Sequence, residues 1–288
     1  MQNNPSTPLP GSAQNNNNST SNITQSFRDQ KQIESFVRSN KLLKIIEGAA
    51  ERFVKTFQQS RRSEDALASI IVIIPFVYSD FLHPGAVDLL HLVIEEPLQF
   101  AEATKYCVYG IVREFIKTFP ETGLKSVDIA QVHVQIRFIG LPLQQSLTFD
   151  PTQNQYPTGL AVISGLLSAY TESEKQVLQS VWYCSKGCSR NKIKSESIDA
   201  PLCNSCSHQM SEYPKLRSTQ NYCLLRVLPV ACIETPRVTN KIFRAITVRA
   251  RDHIHDCELS LGTRYLITGY YNYYFNGNEF IAWNLIKQ

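Results

Sequence analysis

The sequence of 288 residues lacks the features that mark membrane and secreted proteins. No stretch approaches the roughly 20 apolar residues that a membrane-spanning helix needs. The first residues contain no basic segment followed by an apolar one, so we expect no secretory signal. The 8 cysteines are too few for a disulfide-dense scaffold, which favours a reducing compartment where thiols can bind metal. With 43% apolar and 19% charged residues, the composition predicts a globular protein.

Motifs of catalysis are lacking as well. The sequence contains no GxxxxGK[ST] motif for cradling phosphates. Residues 201–206 resemble the PCxxC half of the nucleobase deaminases, but none of the 6 histidines is followed two residues later by the glutamate that this chemistry needs. The acidic residues form no spaced pair typical of a catalytic couple. We therefore predict a protein that is not an enzyme and that has no catalytic residues.

Charge is distributed unevenly along the chain. Residues 1–180 carry 15 Lys and Arg against 17 Asp and Glu, whereas residues 181–288 carry 14 against 8. Between Lys215 and Arg251 there are eight basic residues and one acidic residue, Glu234. Such a stretch can attract phosphates, although a solvated basic face without a nucleic-acid role would have the same composition.

The hydrophobic pattern predicts a tail followed by helices. Residues 1–26 are rich in Asn, Ser, Thr and Pro, and we expect them to form a disordered tail. Helical spacing of apolar residues runs from Phe27 to about Phe57, over Val87–Ile94 and over Leu98–Thr118, with a strand-like stretch around Pro75. The first folded part is therefore predicted to be mainly helical.

Beyond residue 130 the pattern becomes that of β-strands. Apolar residues alternate with polar ones from Val132 to Phe138, and Gly159–Leu166 has glycines typical of bends in small barrels. Further strand-like segments follow at 222–227, 244–249, 265–271 and 279–286. Five or six strands of this length fit a small Greek-key barrel of the OB type.

Four cysteines form two short pairs, Cys184-x3-Cys188 and Cys203-x2-Cys206, with 14 residues between them. Each pair can occupy a turn whose N–H groups point at the sulfurs, and four thiolates suit a tetrahedral Zn²⁺ with no open coordination position. The spacing predicts a structural zinc site, and the alternatives are reduced structural cysteines or two disulfides. The cysteines outside this pattern are interpreted as buried small hydrophobic residues: Cys107, Cys223, Cys232 and Cys257.

Together these segments predict an α+β protein in which an N-terminal helical domain precedes an OB-type β-barrel with an inserted four-cysteine zinc-binding finger. The predicted boundaries are 1–26 for the tail, 27–125 for the helical domain, 126–181 for the first part of the barrel, 182–220 for the finger and 221–288 for the second part of the barrel.

This order of segments resembles the N-terminal half of the minichromosome maintenance (MCM) helicase family. Three places carry the resemblance: Gly159–Leu166 followed by residues 182–184, the finger itself, and the segments Phe243–Val248 and Leu261–Tyr271. The last two segments resemble the family's pattern of Pro-Arg-x-apolar, a spacer, and Pro-Gly-Asp-x-apolar-x-apolar-x-Gly. The resemblance covers roughly residues 30–288.

The sequence departs from the family pattern in ways that point to one group. Phe243 and Leu261 stand where prolines are usual, and Thr263 stands where an acidic residue is usual. The chain also ends where a full family member continues into its AAA+ ATPase half. It is in this respect similar to the MCM-domain-containing meiotic proteins, in particular the fly-type arrangement whose N-terminal half and degenerate ATPase-like half are separate polypeptides.

The resemblance implies a non-catalytic subunit in the nucleus that promotes meiotic crossover recombination. The implied partners are a separate ATPase-like MCM polypeptide, another MCM-related protein, and DNA that is single-stranded or a recombination intermediate. No membrane partner is expected.

A DNA-binding surface is predicted on the barrel, because OB-type barrels stack bases on aromatic residues and pair phosphates with Lys and Arg. The resemblance implies a DNA-facing hairpin in the same region. The predicted DNA-binding residues are Arg237, Lys241 and Arg244 before one strand, and Arg249 and Arg251 at its far end. About half of the aromatic run is predicted to face the core: Tyr270, Tyr271, Tyr273, Tyr274 and Phe275.

The alternative function is that of a pure protein-assembly module with little DNA binding of its own. The helical domain and the finger would then dock partners, and the basic stretch would meet an acidic partner surface.

Overall fold

The computed structural model describes residues 30–39, 41–60, 68–120, 124, 127–142, 159–188, 192–194, 199–230, 245–251, 258–272 and 279–288. The tail predicted at 1–26 lies outside these residues.

Helices form most of the first part of the chain. They are α1 at residues 30–39, α2 at Leu42–Ser60, α3 at Val87–Glu95 and α4 at Pro97–Lys117. The helical pattern predicted from Phe27 to about Phe57 corresponds to two helices in the described residues, with Lys41 in a turn before the second. The other two predicted helices are confirmed to within one residue at each end. None of the described helices is both long and apolar enough to cross a membrane.

Two parallel strands pack against these helices. Strand β1, Ile70–Val77, pairs with β2, Val132–Ile139, over its whole length. Alternate residues of β1 are buried, but Ile71 and Ile73 point to the opposite face and are 52% and 41% exposed. The stretch around Pro75 that the sequence predicts to be strand-like is therefore a strand, and the isoleucine run in it is buried on one face only.

In the described part of the chain, five strands close into a barrel and three more form an extension. The barrel strands are β3 (Leu160–Tyr170), β7 (Ser218–Pro229), β8 (Ile246–Arg251), β9 (Arg264–Asn272) and β10 (Glu279–Lys287), and the extension strands are β4 (Glu174–Tyr183), β5 (Lys192–Lys194) and β6 (Ser211–Glu212). Around the barrel the order is β3, β9, β10, β8, β7 and back to β3. Strands β8 and β10 are parallel, and the other neighbours are antiparallel. This is the Greek-key topology of an OB fold, so the predicted fold class is confirmed.

The extension begins with β4, a strand that the hydrophobic pattern does not predict. Its first residues, from Glu174 onward, are exposed or half-buried and pair with the start of β7. Its second half becomes buried and carries β5 and β6. Strand β4 therefore joins the barrel to the cysteine-containing finger.

Two glycines let the barrel strands approach closely. A Cβ added at Gly165 would lie 2.6 Å from the carbonyl oxygen of Leu228, where β3 meets β7. A Cβ added at Gly269 would lie 2.0 Å from the carbonyl oxygen of Ile281 on β10. Carbon atoms cannot come so near to a backbone oxygen without displacing it, so both positions need glycine.

One hydrophobic core joins the helical part to the barrel. Phe76 and Phe138 stack at 5.4 Å between ring centroids, and Phe138 also stacks on Trp283 of β10 at 5.8 Å. The side-chain amide of Asn284 donates to the carbonyl oxygen of Phe138 at 2.9 Å. Because barrel residues lie in the same buried cluster as the helices, the two parts are not separated by solvent.

Strand β9 is buried on both of its faces. Tyr270 packs edge-on against Trp283 in the shared core, and Tyr271 packs edge-on against Phe280 inside the barrel. Alternation sends the two rings to opposite faces, but both faces are covered. Neither ring can therefore stack on a base, and the aromatic residues at 273–275 lie outside the described residues.

Candidate metal centre and basic strands

The Sγ atoms of the four paired cysteines converge on one point, within 4.8 Å of one another. The Sγ–Sγ distances are 3.3 Å for Cys184–Cys188, 3.6 Å for Cys184–Cys206, 3.7 Å for Cys188–Cys203 and 3.2 Å for Cys188–Cys206. Metal–sulfur bonds of about 2.3 Å in a tetrahedron place neighbouring sulfurs about 3.8 Å apart. The cluster therefore has the dimensions and the donor atoms to bind a metal ion.

Two tight turns place the cysteines. The Gly187 N–H donates to the Cys184 carbonyl at 2.9 Å, and the Ser207 N–H donates to the Cys203 carbonyl at 2.8 Å. Gly187 and Ser207 have φ angles of 69° and 53°, in the left-handed region. This backbone conformation reverses the chain so that both sulfurs of a pair face the same point, and it is strained for the serine.

Side chains of the extension pack against the cysteine cluster. Trp182, at the end of β4, packs with Met210 and with the buried Cys184 and Cys203. Tyr183 stacks on Tyr213 with ring centroids 4.1 Å apart. These contacts hold the end of β4 in place beside the two cysteine turns.

Hydrogen bonds among the four thiols shift their pKa values in opposite directions. A hydrogen bond with Cys188 lowers the pKa of Cys184, whereas hydrogen bonds with Cys206 and Cys184 raise the pKa of Cys188 to about 12. Four thiolates at these distances would repel one another without a positive ion among them. The four cysteines form no disulfide, so the two-disulfide alternative is wrong for them.

Two of the other cysteines are buried in apolar surroundings, as predicted. Burial raises the pKa of Cys107 to about 12 and that of Cys223 to about 11, so both stay protonated near neutral pH. Cys232 and Cys257 lie outside the described residues.

The structure describes two of the five predicted DNA-binding residues. Arg237, Lys241 and Arg244 lie outside the described residues, in the chain between β7 and β8. These two strands are antiparallel neighbours, with Val227 opposite Ile246.

Arg249 on β8 is held by its neighbours in the sheet. Its Nε donates to Glu279 at 2.9 Å, one terminal nitrogen donates to Gln176 at 3.2 Å, and the guanidinium lies 4.6 Å from the ring centroid of Tyr222. These contacts join residues of four strands, β4, β7, β8 and β10. A role of Arg249 in DNA binding stays a prediction.

Arg251, two residues further along β8, is in a different situation. Its Nε is buried and has no hydrogen-bond partner among the described residues. Sequence reasoning could not separate the two arginines, because the partners of Arg249 come from distant segments.

Comparison with known proteins gives a match in structure but none in sequence. No known protein-family profile and no curated protein matches the sequence. Among solved structures, the 1.8 Å crystal structure of the N-terminal domain of an archaeal MCM aligns with a TM-score of 0.55 and 13% identity, covering 91% of this chain and 99% of that chain. Identity at this level shows the fold alone. The chain therefore has the fold of an MCM N-terminal domain.

Proposed function

We propose that the chain is a non-catalytic MCM-like subunit that binds DNA through its OB-type barrel. The observation that carries this proposal is the barrel itself, in which β7 and β8 lie within the basic stretch of Lys215 to Arg251. Grooves on such barrels bind single strands through basic and aromatic residues. The likeness to an MCM N-terminal domain in fold supports the same conclusion.

The metal that we propose for the cysteine cluster is a structural Zn²⁺. Four cysteine donors with tetrahedral dimensions are the set that Zn²⁺ prefers in closed sites. With every coordination position filled by sulfur, the ion would stabilise the finger and would not activate water.

We further propose that the subunit acts in the nucleus, in meiotic crossover recombination, together with a separate ATPase-like MCM polypeptide and another MCM-related protein. The support for this step is the resemblance in sequence to the divergent meiotic group. Purification of the native protein from meiotic tissue should recover an ATPase-like MCM polypeptide, and recovery of only replication proteins would contradict the proposal.

Removing charge between β7 and β8 should weaken DNA binding. We expect the triple variant Arg237→Gln, Lys241→Gln, Arg244→Gln to bind single-stranded DNA more weakly. With fewer phosphate contacts, binding releases fewer counterions from the DNA. The slope of log K against log salt should become shallower by about 2 if all three residues contact phosphates. Fluorescence anisotropy at a series of salt concentrations measures both quantities.

The matched control removes three exposed charges from the helices instead, through Lys44→Gln, Lys55→Gln and Lys117→Gln. It should leave the slope unchanged. Equal slopes for the wild type and the Arg237, Lys241 and Arg244 variant would show that this segment does not contact DNA.

The alternative of a protein-assembly module is favoured by one surface. Ile71 and Ile73 lie on the same face of β1 and are 52% and 41% exposed, and adjoining exposed apolar side chains commonly mark protein contacts. The two functions can coexist, since this sheet and the barrel strands β7 and β8 belong to different sheets.

The assembly module is tested by mixing the protein separately with the ATPase-like partner and with single-stranded DNA. We expect Ile73→Lys to weaken the protein complex by about ten-fold, as loss of an apolar contact residue does. Leu261→Lys, at an exposed leucine shortly before β9 of the barrel, is the control and should leave the protein complex unchanged. A stable protein complex without DNA retention would favour assembly as the main function.

A further inference from the structure

A cleft of about 590 Å³ lies between the helical part and the barrel. One wall is a face of α4 with Leu98, Ala101 and Lys105, and a second is the β1–β2 sheet with His133. The third wall contains Gln179 of the extension strand β4 and Arg251 of the barrel strand β8. Its volume is that of a small-molecule site. None of the four clustered cysteines is among the described residues that line it.

Among the described residues, two buried donor atoms at this cleft have no acceptor. The Lys105 ammonium donates to the side-chain oxygen of Gln179 at 3.3 Å, which assigns the other end of that amide as the donor. The Gln179 Nε2 and the Arg251 Nε are both buried and have no hydrogen-bond partner among the described residues. A buried donor without an acceptor costs about 1–3 kcal/mol, so the site gains when an acceptor enters.

The carboxylate of Glu102 also lines the cleft, but the hydrogen bond of the Lys105 ammonium goes to a neutral group. Among the described residues, the hydrogen-bond partner of Lys105 is the neutral Gln179, and burial lowers the pKa of Lys105 despite the charge of Glu102 nearby. Burial and the charge of Lys105 lower the pKa of His133 to about 4, so this ring is neutral near pH 7. At the edge of the cleft, Arg217 is paired with Glu212.

We propose that this cleft binds the phosphate of a nucleotide, with Lys105, Gln179 and Arg251 as donors to the phosphate and the α4 wall at Leu98 and Ala101 against the base or sugar. Three donors match the terminal oxygens of a phosphate, which outnumber those of a carboxylate. A free mononucleotide offers three terminal phosphate oxygens to these donors, whereas an internal nucleotide of a DNA strand offers two non-bridging oxygens, so the three donors fit the mononucleotide more completely. The site extends the proposed DNA-binding function. Of its three donors, Arg251 belongs to the predicted DNA-binding set and Lys105 and Gln179 do not, so changes at Lys105 test the cleft separately.

The test titrates the full, metal-loaded chain in phosphate-free buffer with ADP, with dTMP, with a short oligodeoxythymidine and with a glutamate-rich peptide. We expect Lys105→Met and Arg251→Gln each to weaken binding of the phosphate-bearing probes by about ten-fold, as the loss of one charged hydrogen bond does. Lys117→Met removes an exposed lysine from the same helix and is the matched control. Circular dichroism and melting temperatures confirm that each variant is folded.

The outcomes separate the sources of the ligand. Binding of ADP or dTMP that depends on Lys105 supports a free nucleotide, and Lys105-dependent binding of the oligonucleotide alone supports a nucleotide of a strand. If Lys105→Met and Lys117→Met bind every phosphate-bearing probe equally, the proposal is overturned. It is also overturned if only the glutamate-rich peptide binds. Neither negative result affects the test of Arg237, Lys241 and Arg244.

Discussion

Replacing Cys203 by serine should remove the metal ion and unfold the finger. Cys203 is buried in the cluster with Trp182 and Met210, and its sulfur lies 3.7 Å from that of Cys188. With three sulfurs left, the ion loses a strong ligand, and the two turns lose the bond that opposes thiolate repulsion. Loss of a structural metal is among the few single changes that cost about 4 kcal/mol or more in the free energy of unfolding.

Metal content by mass spectrometry of native protein and unfolding in urea measure the two effects. The control is Cys223→Ser, a buried cysteine inside the barrel that is not part of the cluster. It should retain about one ion per chain and lose much less stability. Wild-type protein purified without chelator that holds no metal would contradict the metal centre.

Replacing Gly269 by alanine should be the most damaging conservative change in the barrel. The added methyl group would lie 2.0 Å from the carbonyl oxygen of Ile281 and 2.8 Å from the ring of Phe280. Because the oxygen belongs to the backbone of β10, relief requires the two strands to separate. Forced overpacking of this kind costs about 3 kcal/mol in the free energy of unfolding.

Gly110→Ala supplies the matched comparison. Gly110 lies within α4, and an added Cβ there has no atom within 4 Å. We expect this variant to be more stable than the wild type by about 0.5–1 kcal/mol, since alanine loses less backbone entropy in a helix. A Gly269→Ala variant as stable as the wild type would show that β9 and β10 are further apart than described.

The cysteine cluster and most strands could be predicted because their signals are local. The spacing within each short cysteine pair is enough to predict a turn. The alternation from Val132 to Phe138 likewise predicts which face of the strand is buried. Strand β4 was not predictable, because its first residues are polar and its β-structure depends on pairing with β7. Hydrophobic patterning does not describe a strand whose partner supplies most of its stability.

Features that depend on distant residues could not be read from the sequence. Arg249 acquires its ion pair from Glu279 and its other hydrogen bond from Gln176. The burial of Tyr270 depends on Trp283 and the helical part, because a barrel alone would leave this face exposed. The interdomain cleft likewise exists only after α4 has packed beside the barrel, which brings Lys105 to Gln179.

The contact of Phe138 with β10 has a consequence for the order in which the protein folds. The hydrogen bond from Asn284 to Phe138 joins residues 146 positions apart in the chain. During synthesis, the aromatic side chains of the helical part would thus not be covered by Trp283 until the final barrel strand, β10, has left the ribosome. Chaperone dependence should accordingly be greatest for nascent chains that end between β2 and β10.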